Sequence, residues 1–142
     1  KNEAAKHMDE LSPAARIIGA VNTIVNENGK LVGHITDGIG FVRNLKEHGV
    51  DVKGKKMVVL GAGGAATAIE IQAALDGVKE MSIFNIKDKF WANAEETVKK
   101  IDSATQIKWD IAVIPKDFPE KNLCKYTTQI LIRTTKQCPY KK

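Results

Sequence analysis

A chain of 142 residues, 43% hydrophobic and 27% charged, has the composition of a folded globular protein rather than a disordered one. Its formal net charge of +5 does not favour nucleic-acid binding, because the lysines are interleaved with Asp and Glu except at the C-terminal pair. No apolar run approaches the ~20 residues of a membrane span and no secretory signal is visible, so we expect no membrane partner. Cys124, Cys138 and the three histidines match no disulfide or metal pattern, so we expect a cytoplasmic setting and no metal.

The first predicted elements are two short helices and a hairpin. A helix over residues 1–11 is followed by a second one, in which Ser12 is the N-cap, Pro13 is the first helical residue and a glycine ends the helix. Residues that alternate in polarity then flank Asn28–Gly29, a dipeptide typical of tight hairpin turns. We expect the return strand over Leu31–Ile35.

After the hairpin, helices and strands alternate. Asp37–Gly38 predicts a turn, and Ile39 begins a helical spacing that ends at Gly49. The sequence then predicts, in order, a strand over Met57–Leu60, a helix over Gly64–Leu75, a strand over Glu80–Ile86, a helix over Lys89–Ile101 and weaker strands within Gln106–Ile114 and Gln129–Thr135. Because such alternation indicates parallel βαβ units, we expect an α/β fold with a Rossmann-like doubly wound parallel sheet.

A glycine cluster stands between the strand Met57–Leu60 and the helix after it. Gly61 permits a tight turn, Gly63 lets a pyrophosphate approach the backbone, and Ala66 lets the helix pack close to the strand. Backbone N–H groups and the helix dipole then face the phosphates, starting at Gly64. This pattern predicts a dinucleotide site, and the alternative is a bare structural turn.

The end of the next strand bears on the choice of cofactor. Asp88 can accept hydrogen bonds from ribose hydroxyls and would repel a 2′-phosphate, whereas Lys87 and Lys89 could pair with one. The cofactor prediction therefore leans to NAD over NADP without settling it. The alternative is a solvated helix start with Asp88 as its N-cap.

Four segments, in this order and spacing, resemble shikimate and quinate dehydrogenases: "LSPAARIIGAVNTIV", "TDGIGF", "VVLGAGGAATAI" and "FNIKD". The likeness is closest to the branch of that family that accepts either acid and either nicotinamide cofactor, and it covers about the first hundred residues. The resemblance implies two domains with catalysis between them. Residues 1–36 would be the end of an α/β substrate-binding domain, and residues 37–142 a truncated NAD(P)-binding Rossmann domain.

The resemblance also implies roles for individual residues. Lys1 and Asp37 would be catalytic and contact the substrate, and Asn22 would bind the substrate. A lysine beside an aspartate can hold a substrate hydroxyl and pass its proton while hydride leaves the carbon. The cofactor would be bound by the phosphate loop and the adenosine-ribose segment, which comprise Gly61, Ala62, Gly63, Gly64, Ala65, Asn85, Lys87 and Asp88.

Each of these three substrate-side residues also has an ordinary structural interpretation. A lysine at a chain end is usually solvated, and an asparagine in a hairpin strand usually lies at the surface. Asp37 before a glycine is most simply a turn residue. Only the match in spacing to the family favours the functional interpretation.

The sequence also departs from the family pattern. Ile35 stands where an asparagine is usual, Ile86 replaces an arginine after Asn85, and Arg133 and Thr134 replace small polar residues near the nicotinamide. The carboxylate-gripping serine pair is absent. We therefore expect a fragment of an NAD(P)-dependent shikimate or quinate dehydrogenase that is inactive in isolation. If the chain assembles, we expect a homodimer. The alternative is a non-catalytic dinucleotide-binding module.

Overall fold

The computed structural model describes residues 1–85, 89–106, 108–113 and 130–133. These residues form two sheets with helices between and around them. In chain order the elements are α1 (Asn2–Ala5), β1 (Glu10–Leu11), α2 (Pro13–Ile18), β2 (Thr23–Glu27), β3 (Lys30–His34), α3 (Asp37–Glu47), β4 (Lys56–Leu60), α4 (Gly64–Leu75), β5 (Glu80–Asn85), α5 (Trp91–Ala104), β6 (Lys108–Val113) and β7 (Ile130–Arg133).

The first sheet has three strands in the order β1–β3–β2. β2 and β3 form the predicted hairpin, whose turn residues Asn28 and Gly29 both have positive φ, 54° and 91°. Two consecutive positive φ values are those of a type I′ turn, which suits the twist of paired strands. The hairpin prediction is therefore confirmed, including its turn residues.

The helix predicted over residues 1–11 is wrong beyond its first turn. α1 ends at Ala5, and Glu10 and Leu11 pair in parallel with β3 instead. The Asp9 amide donates to the Leu31 carbonyl at 2.9 Å, and the Asp9 carboxylate accepts from the Leu31 amide at 2.7 Å. Pairing with a distant strand thus overrides the local helical spacing, as tertiary contacts commonly do.

α2 begins and ends as the sequence predicts. The Ser12 hydroxyl accepts from the Ala15 amide at 3.4 Å, and Pro13 is the first helical residue. Gly19 ends the helix in the left-handed conformation at φ 74°, which is the usual C-terminal role of glycine. These caps fix the direction in which the chain enters the hairpin.

The second sheet has four parallel strands in the order β6–β5–β4–β7. β4 lies inside the sheet, and its Met57, Val58 and Val59 are almost fully buried. Continuous apolar burial is typical of a parallel strand covered on both faces. The α/β class with a Rossmann-like parallel sheet is therefore confirmed, and strands are present within both of the segments that were predicted weakly.

α3 corrects the predicted Asp37–Gly38 turn, because the helix starts at Asp37. Gly38 is buried against α4: a Cβ on this residue would lie 2.2 Å from the Ala68 carbonyl oxygen and 2.7 Å from Gln72 Cβ. The glycine is needed here for the close approach of two helices rather than for a turn. This contact sets where Asp37 lies relative to α4.

α4 lies between two clusters of buried apolar residues. Ala66, Ile69 and Ala73 pack towards the parallel sheet, whereas Ala68 and Ile71 pack against the first layer. The second cluster also contains buried residues of α2 and the hairpin region, namely Ala14, Ala15, Val21 and Ile35. α4, together with α5 through Ala94 and Ile101, therefore joins two layers: the first sheet with its helices, and the parallel sheet. The boundary predicted between residues 36 and 37 remains a prediction.

None of the helices in the described ranges is long and apolar enough to cross a membrane. Within the same ranges, no three His, Cys, Asp or Glu side chains converge as a metal site would require.

Candidate functional site

The glycine loop joins β4 to α4 at the carboxyl edge of the parallel sheet. Gly61 has φ 109°, a conformation open to glycine, and its amide donates to the Phe84 carbonyl of the neighbouring strand at 2.8 Å. Gly63 is extended, with φ −77° and ψ 176°, and caps α4. A Cβ on Gly63 or Gly64 would meet no described atom within 4 Å. The loop therefore leaves open space in front of its backbone.

The N-terminus of α4 faces this space. The helix has twelve residues and no side-chain hydrogen bond at its N-cap. Gly64 and Ala65 are exposed, while Ala66 is fully buried against the strand, as the fingerprint pattern predicts. The first amides of a helix lack partners within the helix, and together with the helix dipole they favour an anion.

The side chain of Asn93, in the first turn of α5, is bonded to the glycine loop. Its Nδ2 donates to the Ala62 carbonyl at 2.6 Å and to Thr67 Oγ1 at 3.0 Å. Thr97 Oγ1 in turn donates to the Asn93 carbonyl at 2.8 Å, and it lies 3.4 Å from Thr67 Oγ1. Sequence reasoning missed these three polar residues, because nothing local marks contacts between segments about thirty positions apart.

Lys1 and Asp37 form an ion pair, with Lys1 Nζ 3.6 Å from Asp37 Oδ2. The side chains are 60% and 48% exposed, so the pair contributes little to stability, about 0–1 kcal/mol. The Lys1 carbonyl accepts from the Ala5 and Val21 amides, each at 3.3 Å. Lys1 is thus bonded through its backbone to the start of the hairpin, and Asp37 lies in the first turn of α3.

Asn22 braces the residue that precedes Asp37. Its Oδ1 accepts from the Thr36 amide at 3.0 Å and from Thr36 Oγ1 at 3.1 Å, as well as from the Thr23 hydroxyl at 3.1 Å. Because Oδ1 is bonded in this way, the side-chain nitrogen Nδ2 of Asn22 is the atom suited to a ligand. Asn22 is not among the described residues that line the cleft containing Lys1 and Asp37.

That cleft brings together the ion pair and the start of α4, which directly follows the glycine loop. Its volume is about 540 Å³, within the range of roughly 300–1,000 Å³ usual for small-molecule sites. Lys1 and Ile35 flank the first sheet, and Asp37 belongs to α3. α4 contributes Gly64, Ala65, Thr67 and Ala68, and α5 contributes Asn93, Glu96, Thr97 and Lys100. The N-terminus of α4 and the Lys1–Asp37 ion pair therefore line one cavity.

The ribose segment is only partly described. Asn85 is buried at the end of β5, directly beyond the register pair Leu60–Phe84 that precedes the glycine loop. It therefore lies at the same sheet edge as Gly61. Lys87 and Asp88 lie outside the described residues, so the choice between NAD and NADP remains a sequence prediction.

One matched segment of the chain runs over 108 residues, or 76% of it. There it is 66% identical to a shikimate dehydrogenase (NADP(+)) of Listeria monocytogenes serotype 4b. The matched segment is homologous to shikimate dehydrogenases. The match spans 37% of the relative's length.

Solved structures agree with this homology. Shikimate 5-dehydrogenase from Listeria monocytogenes, solved in complex with shikimate and NAD, aligns with 95% of the chain at a TM-score of 0.86 and 56% identity. A ligand-free 5-ketofructose reductase of a Gluconobacter strain aligns over the same share at a TM-score of 0.80 and 36% identity. The chain covers 46% of each of these two structures. No protein-family model matches the chain.

Proposed function

We propose that this chain supplies the dinucleotide site and the proton-transfer pair of an NAD(P)-dependent shikimate dehydrogenase. The observation that carries the proposal is the shared cleft, which the Lys1–Asp37 pair and the start of α4 line together. A dehydrogenase needs both parts, because a proton must leave the substrate hydroxyl as hydride leaves the carbon. The homology to shikimate dehydrogenases supports shikimate as the substrate.

Lys1 and Asp37 act on the substrate hydroxyl in this proposal. The Lys1 ammonium donates a hydrogen bond to the hydroxyl oxygen, and the Asp37 carboxylate accepts the hydroxyl proton as hydride leaves the carbon. Asn22 fixes the segment before Asp37 through the backbone and hydroxyl of Thr36. Its amide nitrogen remains suited to a substrate oxygen, which is the substrate-binding role proposed for it.

The cofactor is held by the glycine loop in this proposal. The Gly63, Gly64 and Ala65 backbone receives the pyrophosphate at the start of α4, and Gly61 and Ala62 form the turn that places it. When bound, the nicotinamide cofactor supplies the hydride acceptor. Asn85, with Lys87 and Asp88, serves the adenosine ribose. Relatives with NADP and with NAD support either dinucleotide.

The finer parts of the proposal go beyond the homology. We include quinate as a second substrate, a homodimer as the assembly and the cytoplasm as the setting. We also expect the 142-residue chain alone not to turn over shikimate, because the curated relative it matches carries much more sequence than the 37% in the match. Sedimentation of the purified chain tests the homodimer.

A non-catalytic dinucleotide-binding module is the second candidate function. The small share of the relatives that the chain spans favours it. Such a module needs the glycine loop but not the Lys1–Asp37 pair. The two candidates therefore differ in whether the chain binds a hydroxy acid next to the dinucleotide.

Calorimetric titration of the chain with shikimate, in the presence of saturating NADP⁺ or NAD⁺, distinguishes these candidates. The dehydrogenase proposal expects binding that weakens about tenfold or more in Asp37→Asn, because one charged hydrogen bond is lost. Asp51→Asn is the control: Asp51 is exposed, and within the described part of the chain its Oδ1 accepts only from the nearby Lys53 amide. Dinucleotide binding without shikimate binding would support the module, and binding of neither would contradict both candidates.

A further inference from the structure

The glycine loop needs support from outside its own sequence. Glycines have more conformational freedom to lose on ordering than any other residue, so a loop rich in them does not hold its shape alone. The N-cap of α4 is Gly63, which has no side chain with which to bond the first amides of the helix. A loop that is to present its amides to a phosphate must be held by another part of the fold.

Asn93 is placed to give that support. Its Nδ2 group donates to the Ala62 carbonyl, which lies between Gly61 and Gly63, at 2.6 Å. The same nitrogen reaches Thr67 Oγ1 at 3.0 Å, in the first turn of α4. One side chain therefore joins the middle of the loop to the helix that follows it.

Asn93 is itself fixed in position. Thr97 lies one turn after Asn93 in α5 and is almost fully buried, and its hydroxyl donates to the Asn93 carbonyl. The neighbouring Ala94 is fully buried against the core of the parallel sheet. The amide group thus belongs to a rigid element rather than to a mobile loop.

We propose that Asn93 is a positioning residue, which holds the glycine loop in the form that receives the dinucleotide pyrophosphate. The contact to Ala62 requires a hydrogen-bond donor, because Ala62 offers a carbonyl oxygen and is 1% exposed. An aspartate of the same size would place a carboxylate oxygen against that carbonyl. The ligand in this inference rests on the proposed function, whereas the support of the loop does not.

The first part of the test measures dinucleotide affinity by calorimetry with NADP⁺ and NAD⁺. Asn93→Ala and Asn93→Asp are expected to bind about tenfold more weakly or worse, since the loop loses its donor. Thr67→Val is expected to weaken binding, and Thr67→Ser, which keeps the hydroxyl, to restore it. Lys99→Ala is the control, because Lys99 is exposed on the same helix and makes no described side-chain contact with the loop.

The second part measures hydrogen exchange of two amides that flank the loop, without any ligand. The Gly61 amide is bonded to the Phe84 carbonyl, and the Thr67 amide to the Gly63 carbonyl. Both are expected to exchange about tenfold faster in Asn93→Ala and Asn93→Asp than in Lys99→Ala, if the lost contact frees the loop.

The outcomes separate the two proposals. Affinity and exchange that match the wild type in Asn93→Asp would overturn the role of Asn93, because the donor would then be unnecessary. A wild-type chain that binds neither dinucleotide would contradict the proposed function. Exchange would still decide the role of Asn93 in that case, with faster exchange supporting it and unchanged exchange overturning it.

Discussion

Glu70 is a buried carboxyl group in the middle of α4. It is 0% exposed, and neither carboxyl oxygen has a hydrogen-bond partner among the described residues. Burial without a partner disfavours the charged form, and it raises the pKa of Glu70 from its usual 4.5 to about 8. The group is therefore protonated in the folded chain at neutral pH.

This shift predicts a pH-dependent stability. In the unfolded chain Glu70 loses its proton near 4.5, whereas the folded chain holds it up to about 8. Between these values the folded state binds one proton more, so the free energy of unfolding falls as pH rises, by about 1.4 kcal/mol per pH unit. In urea unfolding across this pH window, the free energy of unfolding of Glu70→Gln should fall less steeply with pH than that of the wild type, and the variant should be the more stable chain at pH 8.

The control for this prediction is Glu47→Gln, on the exposed face of α3. The free energy of unfolding of Glu47→Gln should depend on pH as steeply as that of the wild type. Equal slopes in Glu70→Gln and the wild type would show that Glu70 is ionised in the folded chain, against the prediction.

Single residues differ in how far the sequence could predict them. The roles of Gly61 and Ala66 follow from the glycine pattern alone, because each role depends on a missing or small side chain. The meeting of Lys1 and Asp37 could be expected only through a family likeness, since 35 intervening residues must fold to join them. Asn93 and Glu70 could not be predicted, because burial and partners arise from packing between helices.

At the scale of elements, the contact between α3 and α4 rests on Gly38. Gly38→Ala should destabilise the chain by about 1–3 kcal/mol, because the new methyl group would overlap the Ala68 carbonyl. Gly40→Ala, in the same helix with no described atom near its Cβ position, should instead stabilise the chain by about 0.5–1 kcal/mol. Thermal unfolding of both variants checks this, and equal effects would contradict the close helix contact.

Elements with strong local signals were predicted well. α2 has its capping serine and proline, the hairpin has Asn28–Gly29, and α4 matches its predicted bounds of Gly64–Leu75. The two largest errors, the length of α1 and the turn predicted at Asp37–Gly38, concern segments that make long-range contacts. β1 pairs with the edge of β3, and Gly38 lies within α3, packed against α4, rather than in a turn.

At the scale of the whole molecule, α4 makes one structure of the two layers. Ile71 is fully buried in the cluster that contains residues of α2 and the hairpin region. Ile71→Ala should therefore lower the free energy of unfolding by about 2–5 kcal/mol. Because the two layers share this helix, the far-UV and near-UV circular dichroism of Ile71→Ala should still change together in one unfolding transition.

Leu75→Ala, one turn later on the same helix and partly exposed, is the matched control and should change stability by about 0.5 kcal/mol or less. Separate transitions in Ile71→Ala, with one layer unfolding first, would contradict the shared core. Both layers could be predicted from the sequence, but the core that they share could not. α4 is buried on nearly all sides, so its sequence does not show which residues face which layer.

The dinucleotide site at the glycine loop is tested most directly by calorimetric titration of Gly63→Val with NADP⁺ and NAD⁺, beside the wild type and Gly40→Ala. Gly63 has a φ that valine tolerates and open space at its Cβ position, so the variant should fold normally and block the pyrophosphate. The wild type and Gly40→Ala should bind the dinucleotide, and Gly63→Val should lose affinity by about a hundredfold or more. Equal affinity in all three chains, or no binding by the wild type, would contradict this prediction.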